Sequence, residues 1–493
     1  MKNLLFTLLV VSCRFVWAAG TDNRPQQIRI TVKGLENQQM ILANYYGDKQ
    51  YVKDTLIMDK KGTAVIKADT MLPGGIYLAV FPALNNRYFE FVVSEPNFSL
   101  ETDTMDLALH MKITNSLENK IFYDDMKYLA GKKKEADSLT TAMRSTGGAD
   151  KEKIRKRLDD LNTEVRTRRE DLTAKQPNLL YPKIVRSMKE VDIPDFPRDA
   201  QGNVLDSTYQ WQFYKKHYWD YFDLRDDRLL RCPVLNNKYR FFFEKLVVNQ
   251  PDSINTAMDD LLQKTDMKND IYRFILTDKF NEAANSKIMG MDAVYVHLGK
   301  KYFGNESFSP WMDSVKRFKI MDRVNRMEPL LIGKIARNIT LADSSNKRYF
   351  SLYDQKNKYV ILAFWDPDCG HCKKEIPVLH QGWKNLLQSG LDVGAYAPAI
   401  MEKEDMGKWT DFIRNNNLDW INVADPYRQN NFRYEWDLQS TPQIFVLDKD
   451  KRIVARRMSA DQVEDYIRHL DDPAYKPKTL FRVGDEEKQE TAH

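Results

Sequence analysis

Two cysteines three positions apart, Cys369 and Cys372, lie where the sequence pattern changes from strand to helix. Before them, residues 359–364 form an uninterrupted apolar run (YVILAF), which predicts a strand that is buried on both faces. After them, apolar side chains recur at helical spacing, namely Ile376, Leu379, Trp383 and Leu386. The pattern places Cys369 at the amino end of a helix in an α/β domain, and no other feature constrains the fold as strongly.

This position has a specific effect on a thiol. The helix dipole and the unpaired N–H groups of the first turn stabilise a thiolate at Cys369 and lower its pKa. His371 adds a second positive charge when it is protonated. Cys372 lies one turn further on, close enough to form a disulfide with Cys369 or to attack a mixed disulfide formed there. The segment therefore predicts a redox-active dithiol.

Three other interpretations of the cysteine pair are weaker. A structural disulfide would explain the spacing but not the strand–helix context. A zinc site would normally need a second Cys/His pair, and near Cys372 only His380 follows. A peroxidase would carry a threonine three residues before its reactive cysteine, where this chain has Asp366. We therefore expect neither a metal nor a cofactor.

Residues 331–470 resemble the extracytoplasmic thioredoxin-like thiol–disulfide oxidoreductases of the TlpA/ResA type in their multidomain bacterial form. The resemblance covers about 140 of 493 residues. It depends on four features: the lead-in over 331–336 (LIGKIA), Phe364–Trp365 before the CxxC motif, Pro377 in the following helix, and the Ser440-Thr441-Pro442 loop before a strand. It implies a thioredoxin fold and reduction of protein disulfides.

The resemblance also assigns roles to individual residues. Cys369 is implied as the attacking nucleophile and Cys372 as the resolving thiol. Pro442, expected in the cis form, faces the disulfide and leaves the Thr441 backbone free to pair with an extended substrate. Three residues are implied to tune the site: Trp365, Gly370 and His371. Glu375 is implied as the acid that assists Cys372, because Ala363 stands where thioredoxin has a buried aspartate.

Two departures from the family pattern act in opposite directions. Asp368 replaces the usual tryptophan before the first cysteine, and its charge opposes a low Cys369 pKa. The Gly370–His371 dipeptide is that of disulfide isomerases, and His371 disfavours the oxidised form by stabilising the thiolate. Net oxidation or isomerisation therefore stays open beside reduction. So does a partner-binding scaffold in which the CxxC motif is regulatory.

The amino terminus has the pattern of an export signal. Lys2 is followed by a short apolar run, Leu4–Val11, and by small residues near position 20, and the run is too short to span a bilayer. Cleavage at the small residues would release a soluble protein, whereas Val10–Cys13 resembles a lipobox that would attach lipid to Cys13. We favour the soluble form. Both outcomes predict the periplasm or cell envelope, where a membrane thiol carrier would supply electrons.

Composition and periodicity divide the chain into six segments. They are a signal peptide over 1–20, a β-sandwich-like domain over 21–105, a charged helical hairpin over 106–190, an α-helical domain over 191–330, a thioredoxin-like domain over 331–473 and a polar tail over 474–493. The expected fold class is thus multidomain: a small all-β N-terminal domain, an α-helical middle region and a C-terminal α/β thioredoxin fold.

The middle region gives structural expectations but no chemistry. A heptad-like apolar stripe over 154–172 predicts two antiparallel helices packed together, with a partner-binding coiled coil as the alternative. Cys232 stands alone in an apolar context, which is typical of a buried, inert thiol. A near balance of 75 basic and 70 acidic residues excludes a nucleic-acid-binding signature. Four cysteines are too few for a disulfide-stapled scaffold.

Overall fold

The computed structural model describes residues 24–145 and 147–477. The predicted signal peptide, Cys13 and the end of the polar tail lie outside the described residues. The chain forms two compact units: the first runs to Leu246 and includes Gln263–Phe274, and the second contains Val247–Leu262 and continues from Ile275. In the described part of the chain, each helix is too short or too polar to cross a membrane.

The first unit contains two four-stranded β-sheets. One has the strand order β4-β1-β7-β8 and the other β3-β2-β5-β6. Their strands are β1 (Gln26–Lys33), β2 (Gln39–Tyr46), β3 (Lys49–Ile57), β4 (Thr63–Ala68), β5 (Gly75–Phe81), β6 (Arg87–Val93), β7 (Asn97–Asp103) and β8 (Lys112–Thr114). In β1, the alternating residues Ile28, Ile30 and Val32 are fully buried, as their period of two predicts.

The strands of the first unit are followed by the helices α1 (Leu117–Ser145), α2 (Gly148–Lys175), α3 (Leu180–Ser187), α4 (Tyr209–His217) and α5 (Pro233–Phe241). Ion pairs join α1 to α2, since Arg157 contacts Glu135 at 2.7 Å and Lys132 contacts Glu164. Cys232 is fully buried beside the first turn of α5, and burial raises the pKa of its thiol far above the ordinary value. Such a thiol is inert.

The rest of the chain begins with helices and continues as an α/β domain. The helices are α6 (Pro251–Gln263), α7 (Asp270–Asn285), α8 (Asp292–Leu298) and α9 (Ser314–Met327), followed later by α10 (Gly370–Gln388), α11 (Met406–Asn415), α12 (Phe432–Glu435) and α13 (Ala460–Asp471). The strands are β9 (Thr340–Ala342), β10 (Tyr349–Ser351), β11 (Tyr359–Phe364), β12 (Val393–Ala399), β13 (Ile421–Ala424), β14 (Gln443–Asp448) and β15 (Ile453–Arg456).

These strands form one seven-stranded mixed sheet of order β10-β9-β13-β12-β11-β14-β15. Within this sheet, β11 is parallel to β12 and antiparallel to β14. Its side chains alternate between two cores: Ile361 and Ala363 join the core that contains Cys372, whereas Leu362 and Phe364 join the core on the opposite face. An apolar run without alternation is thus explained by helices or loops that cover both faces. The predicted fold class is confirmed.

A buried ion pair joins α8 to the last strand of this sheet. Arg456 at the end of β15 contacts Asp292 at the start of α8 at 2.6 Å, and both side chains are almost completely buried. Arg456 also donates a hydrogen bond to the Leu330 carbonyl at 2.9 Å. Burial lowers the pKa of Arg456. Helix α8 is therefore joined to the last strand of the sheet by a buried pair of opposite charges.

Replacing Asp292 by alanine should leave a buried guanidinium without its carboxylate. We expect Asp292→Ala to lower the free energy of unfolding by about 3–5 kcal/mol, measured by urea denaturation of the full chain. Asp411→Ala removes the partner of Arg414 in an exposed pair and should cost less than about 1 kcal/mol. Equal losses in the two variants would contradict the assignment of Asp292–Arg456 as a buried charge pair.

Candidate active site

The turn between β11 and α10 brings Cys369 to the start of a helix. Asp366 closes this turn, because its carboxylate accepts the Asp368 N–H at 2.7 Å and its carbonyl accepts the Cys369 N–H at 3.2 Å. Cys369 occupies the N-cap position in extended conformation, and its carbonyl accepts the first helical hydrogen bond, from the Lys373 N–H at 3.1 Å. The predicted strand–dithiol–helix junction is present.

The two sulfur atoms have different surroundings. Cys369 is partly exposed at the edge of the core, whereas Cys372 is fully buried within it. The Asp366 N–H donates to the Cys372 sulfur at 3.4 Å. A substrate disulfide can therefore reach Cys369 first, and Cys372 is accessible only from within the site.

A second loop lies directly against the exposed thiol. The Thr441–Pro442 peptide bond is cis, and the Cys369 thiol donates to the Thr441 carbonyl at 3.4 Å. The loop is held there by strand pairing, because β14 begins at Gln443, opposite Phe364 at the end of β11. Residues 72 positions apart in the sequence thus meet at one edge of the sheet.

These surroundings shift the two thiol pKa values in opposite directions. Partial burial acts to raise the pKa of Cys369, but hydrogen bonds with the Thr441 side chain and with the N–H groups of Cys372 and His371 outweigh it and bring the pKa below the ordinary thiol value. Burial raises the pKa of Cys372 to about 12. The thiolate therefore forms more readily on Cys369 than on an ordinary cysteine, while Cys372 keeps its proton at neutral pH.

The charge of Asp368 is compensated by a residue that the sequence analysis missed. Lys408 at the start of α11 contacts the Asp368 carboxylate at 2.5 Å and the Asp405 carboxylate at 2.9 Å. The hydrogen bond from Lys408 lowers the pKa of Asp368. A lysine 40 positions away on another helix gives no local signal, so its pairing with Asp368 could not be read from spacing.

The remaining predicted site residues surround the dithiol in different ways. Trp365 is fully buried against Phe412, with ring centroids 5.1 Å apart, and supports the turn from below. Gly370 has open space where a side chain would begin, and His371 is exposed. Glu375 accepts the Ala460 N–H at 2.8 Å and so joins the first turns of α10 to the start of α13.

A strand–dithiol–helix unit beside a proline loop, in a central mixed sheet covered by helices, defines the thioredoxin-like class of proteins. Comparison with protein families agrees: residues 332–456 match the AhpC/TSA family. The upstream regions match two domains of unknown function, DUF4369 over residues 27–122 and DUF5106 over residues 150–328.

Curated relatives match the same C-terminal part. Thiol-disulfide oxidoreductase ResA of Bacillus subtilis is 28% identical over 143 residues, which cover 28% of this chain and 76% of the relative. A thioredoxin-like protein of Haemophilus influenzae is 28% identical over 132 residues, which cover 27% of this chain and 72% of the relative. Among solved structures, a thioredoxin-like protein of Bacteroides caccae is 20% identical with a TM-score of 0.45, and the match covers 57% of this chain and 99% of that one.

Residues 332–456 are therefore an AhpC/TSA thioredoxin-like domain, and the chain is a thiol–disulfide oxidoreductase. Disulfide-containing molecules are its substrates in general. The resemblance inferred from the CxxC segment and the proline loop is confirmed.

The Lys408–Asp368 pair predicts a change in thiol reactivity. In Lys408→Met, the unpaired Asp368 anion should raise the Cys369 pKa and slow alkylation by iodoacetamide at pH 7 about two- to threefold, a small effect because the pair is half exposed. The double variant Asp368→Asn/Lys408→Met should regain at least the wild-type rate. If both variants react like wild type, Asp368 has no influence on the thiol.

Proposed function

We propose that the protein is an extracytoplasmic reductase of protein disulfides that works through the Cys369-Gly370-His371-Cys372 dithiol. The observation that carries the proposal is the 3.4 Å contact between the Cys369 sulfur and the Thr441 carbonyl. It puts the candidate nucleophile beside a backbone segment on which an extended polypeptide can dock. A nucleophile and a docking strand in contact are what the attack on a protein disulfide requires.

In the first step, the Cys369 thiolate attacks one sulfur of the substrate disulfide. A bond forms between Cys369 and that sulfur, the substrate S–S bond breaks, and the second substrate sulfur leaves as a thiolate. The lowered pKa of Cys369 supports this role, since it increases the thiolate fraction at neutral pH. Thr441, next to Pro442, holds the substrate backbone in the position of an added strand.

In the second step, Cys372 attacks the Cys369 sulfur of the mixed disulfide. The Cys369–Cys372 disulfide forms, the substrate leaves fully reduced, and two electrons have passed from the dithiol to the substrate. Because burial raises the Cys372 pKa to about 12, its proton must be removed as it attacks. We assign this assistance to Glu375, one turn further along α10, whose carboxylate also holds the Ala460 N–H.

The location and the electron source belong to the same proposal. The export-type amino terminus supports a periplasmic or cell-envelope protein, soluble after cleavage or anchored by lipid on Cys13. In that compartment a membrane dithiol carrier would reduce the Cys369–Cys372 disulfide after each turnover. Mass spectrometry of the mature amino terminus distinguishes the soluble form from the lipidated one.

Removing the resolving thiol should trap the first intermediate. We expect Cys372→Ser to accumulate a mixed disulfide through Cys369 when it is mixed with insulin, seen as a mass adduct that dithiothreitol removes. The rate of adduct formation should rise with pH, with the midpoint of the rise below the ordinary thiol pKa, because the Cys369 pKa is lowered. Cys369→Ser is the matched control and should form no adduct. Adduct formation in that control would place the nucleophile elsewhere.

The direction of the reaction is tested by the reduction potential of the Cys369–Cys372 pair. A value near −270 mV, with rapid insulin reduction, is the result expected for a reductase, whereas a value near −120 mV would replace the proposal with a disulfide oxidant. The potential is measured by equilibrating the full chain with defined dithiothreitol buffers. Cys232→Ser should leave the potential unchanged, because the Cys232 thiol is fully buried and so cannot exchange with the buffer.

A further inference from the structure

A buried carboxylate lies in the segment that leads to the loop over Ser440-Thr441-Pro442, which we call the docking loop because substrates are proposed to dock on it. Asp437 follows α12, is 3% exposed, and adopts a left-handed backbone conformation with φ of 46°. Its carboxylate accepts a hydrogen bond from the Gln439 side chain at 3.2 Å, and its carbonyl accepts one from the Gln443 side chain at 3.5 Å. Thr441 and Pro442 lie between these two glutamines, so Asp437 is bonded to residues on both sides of the docking loop.

Two arginines of α9 neutralise this carboxylate. Arg323 donates through Nε to one oxygen of Asp437 at 3.4 Å, and Arg326 contacts the other oxygen at 3.5 Å. They are three positions apart, which puts them on the same face of the helix. Both guanidinium groups are also held by aromatic rings, Arg323 over Tyr295 at 5.3 Å and Arg326 over Tyr434 at 4.6 Å.

The burial of Asp437 makes these contacts necessary. A carboxylate that is removed from water is strongly unfavourable unless opposite charge and hydrogen bonds compensate for it. Without the arginines, the remaining side-chain donor described for the Asp437 carboxylate is the neutral amide of Gln439. Movement of Asp437 toward solvent would then lower the free energy of the segment. Because Thr441 lies only four positions further along the chain, it would move as well.

We propose that Arg323 and Arg326 are positioning residues for disulfide reduction, acting through Asp437 to keep the Thr441 carbonyl beside Cys369. The inference rests on the proposed function, because it assumes that substrates dock on Thr441. According to this proposal, α9, which precedes residue 331, contributes to the reaction because it holds the docking loop in position. Neither arginine contacts the thiols directly.

The test compares a polypeptide disulfide with a small one in the prereduced full chain. Insulin must pair with the loop, whereas dithiobis(nitrobenzoic acid) has no peptide backbone and needs only the Cys369 thiolate. We expect Arg326→Gln and Arg323→Gln to raise the half-saturating insulin concentration about tenfold and to change the rate with the small disulfide less than about twofold.

A matched control is available on the other side of the same domain. Arg468 is also partly buried, pairs with Glu464 at 2.8 Å and donates to residues at the far end of α10. Arg468→Gln should therefore cost stability without changing the ratio of the two substrates. Asp437→Asn removes the same ion pairs from the carboxylate side and should weaken insulin binding in the same way. The variant should fold, since asparagine tolerates the left-handed conformation. It keeps the comparison possible if an arginine variant does not fold.

The outcomes separate the two proposals. The positioning role is supported if the arginine variants and Asp437→Asn need more insulin for half-saturation but keep their rate with the small disulfide. Equal losses with both substrates, or no difference from Arg468→Gln, would overturn it and leave the proposed function intact. Wild-type protein that reduces the small disulfide but not insulin would overturn both, because no polypeptide would then dock on the loop.

Discussion

The antiparallel pairing of β11 with β14 is the interaction on which the site depends. One strand ends where the dithiol turn begins, and the other begins where the proline loop ends. Because Phe364 is opposite Gln443, the two loops leave the same edge of the sheet side by side, and the Cys369 sulfur meets the Thr441 carbonyl. A shift of one residue in this register would turn the side chains of β14 to the opposite cores and move the loop away from the thiol. The packing of two cores against β11 therefore also fixes the geometry of the chemistry.

The two thiols differ because they lie at different depths of the same helix turn. Cys369 is at the helix start, where N–H groups have no partner within the helix, and Cys372 is one turn further, in the apolar core. Their pKa values separate as a result, and in the proposed reaction this difference orders the two attacks: the thiol with the lower pKa meets the substrate, and the protonated one acts once the mixed disulfide has formed. The ion pair between Asp368 and Lys408 reduces the repulsion between the Asp368 carboxylate and a thiolate at Cys369.

Local patterns in the sequence predicted the parts of the molecule that local patterns determine. The apolar run of β11 and the apolar spacing in α10 are present as expected, because hydrophobic periodicity needs only neighbouring residues. The charged contacts were not predictable in this way. Lys408, Asp437 and Arg456 occur in segments where charge is typical of a solvated surface, and only the tertiary fold brings their partners to them. The sequence therefore indicated the dithiol and its loop but not the charges that support them.

The paired charges at positions 292 and 456 have a consequence for related sequences. A domain that begins at residue 331 contains Arg456 and Asp437 but not the ion-pair partners that each has in this chain, since these lie on α8 and α9. Thioredoxin-like domains without the preceding helices should therefore carry uncharged side chains at the equivalents of 437 and 456. In chains that keep the helices, substitutions at 292 and 456 should occur together. The residues at positions 292 and 456 would then indicate, from an alignment alone, whether a related chain contains the helical segment.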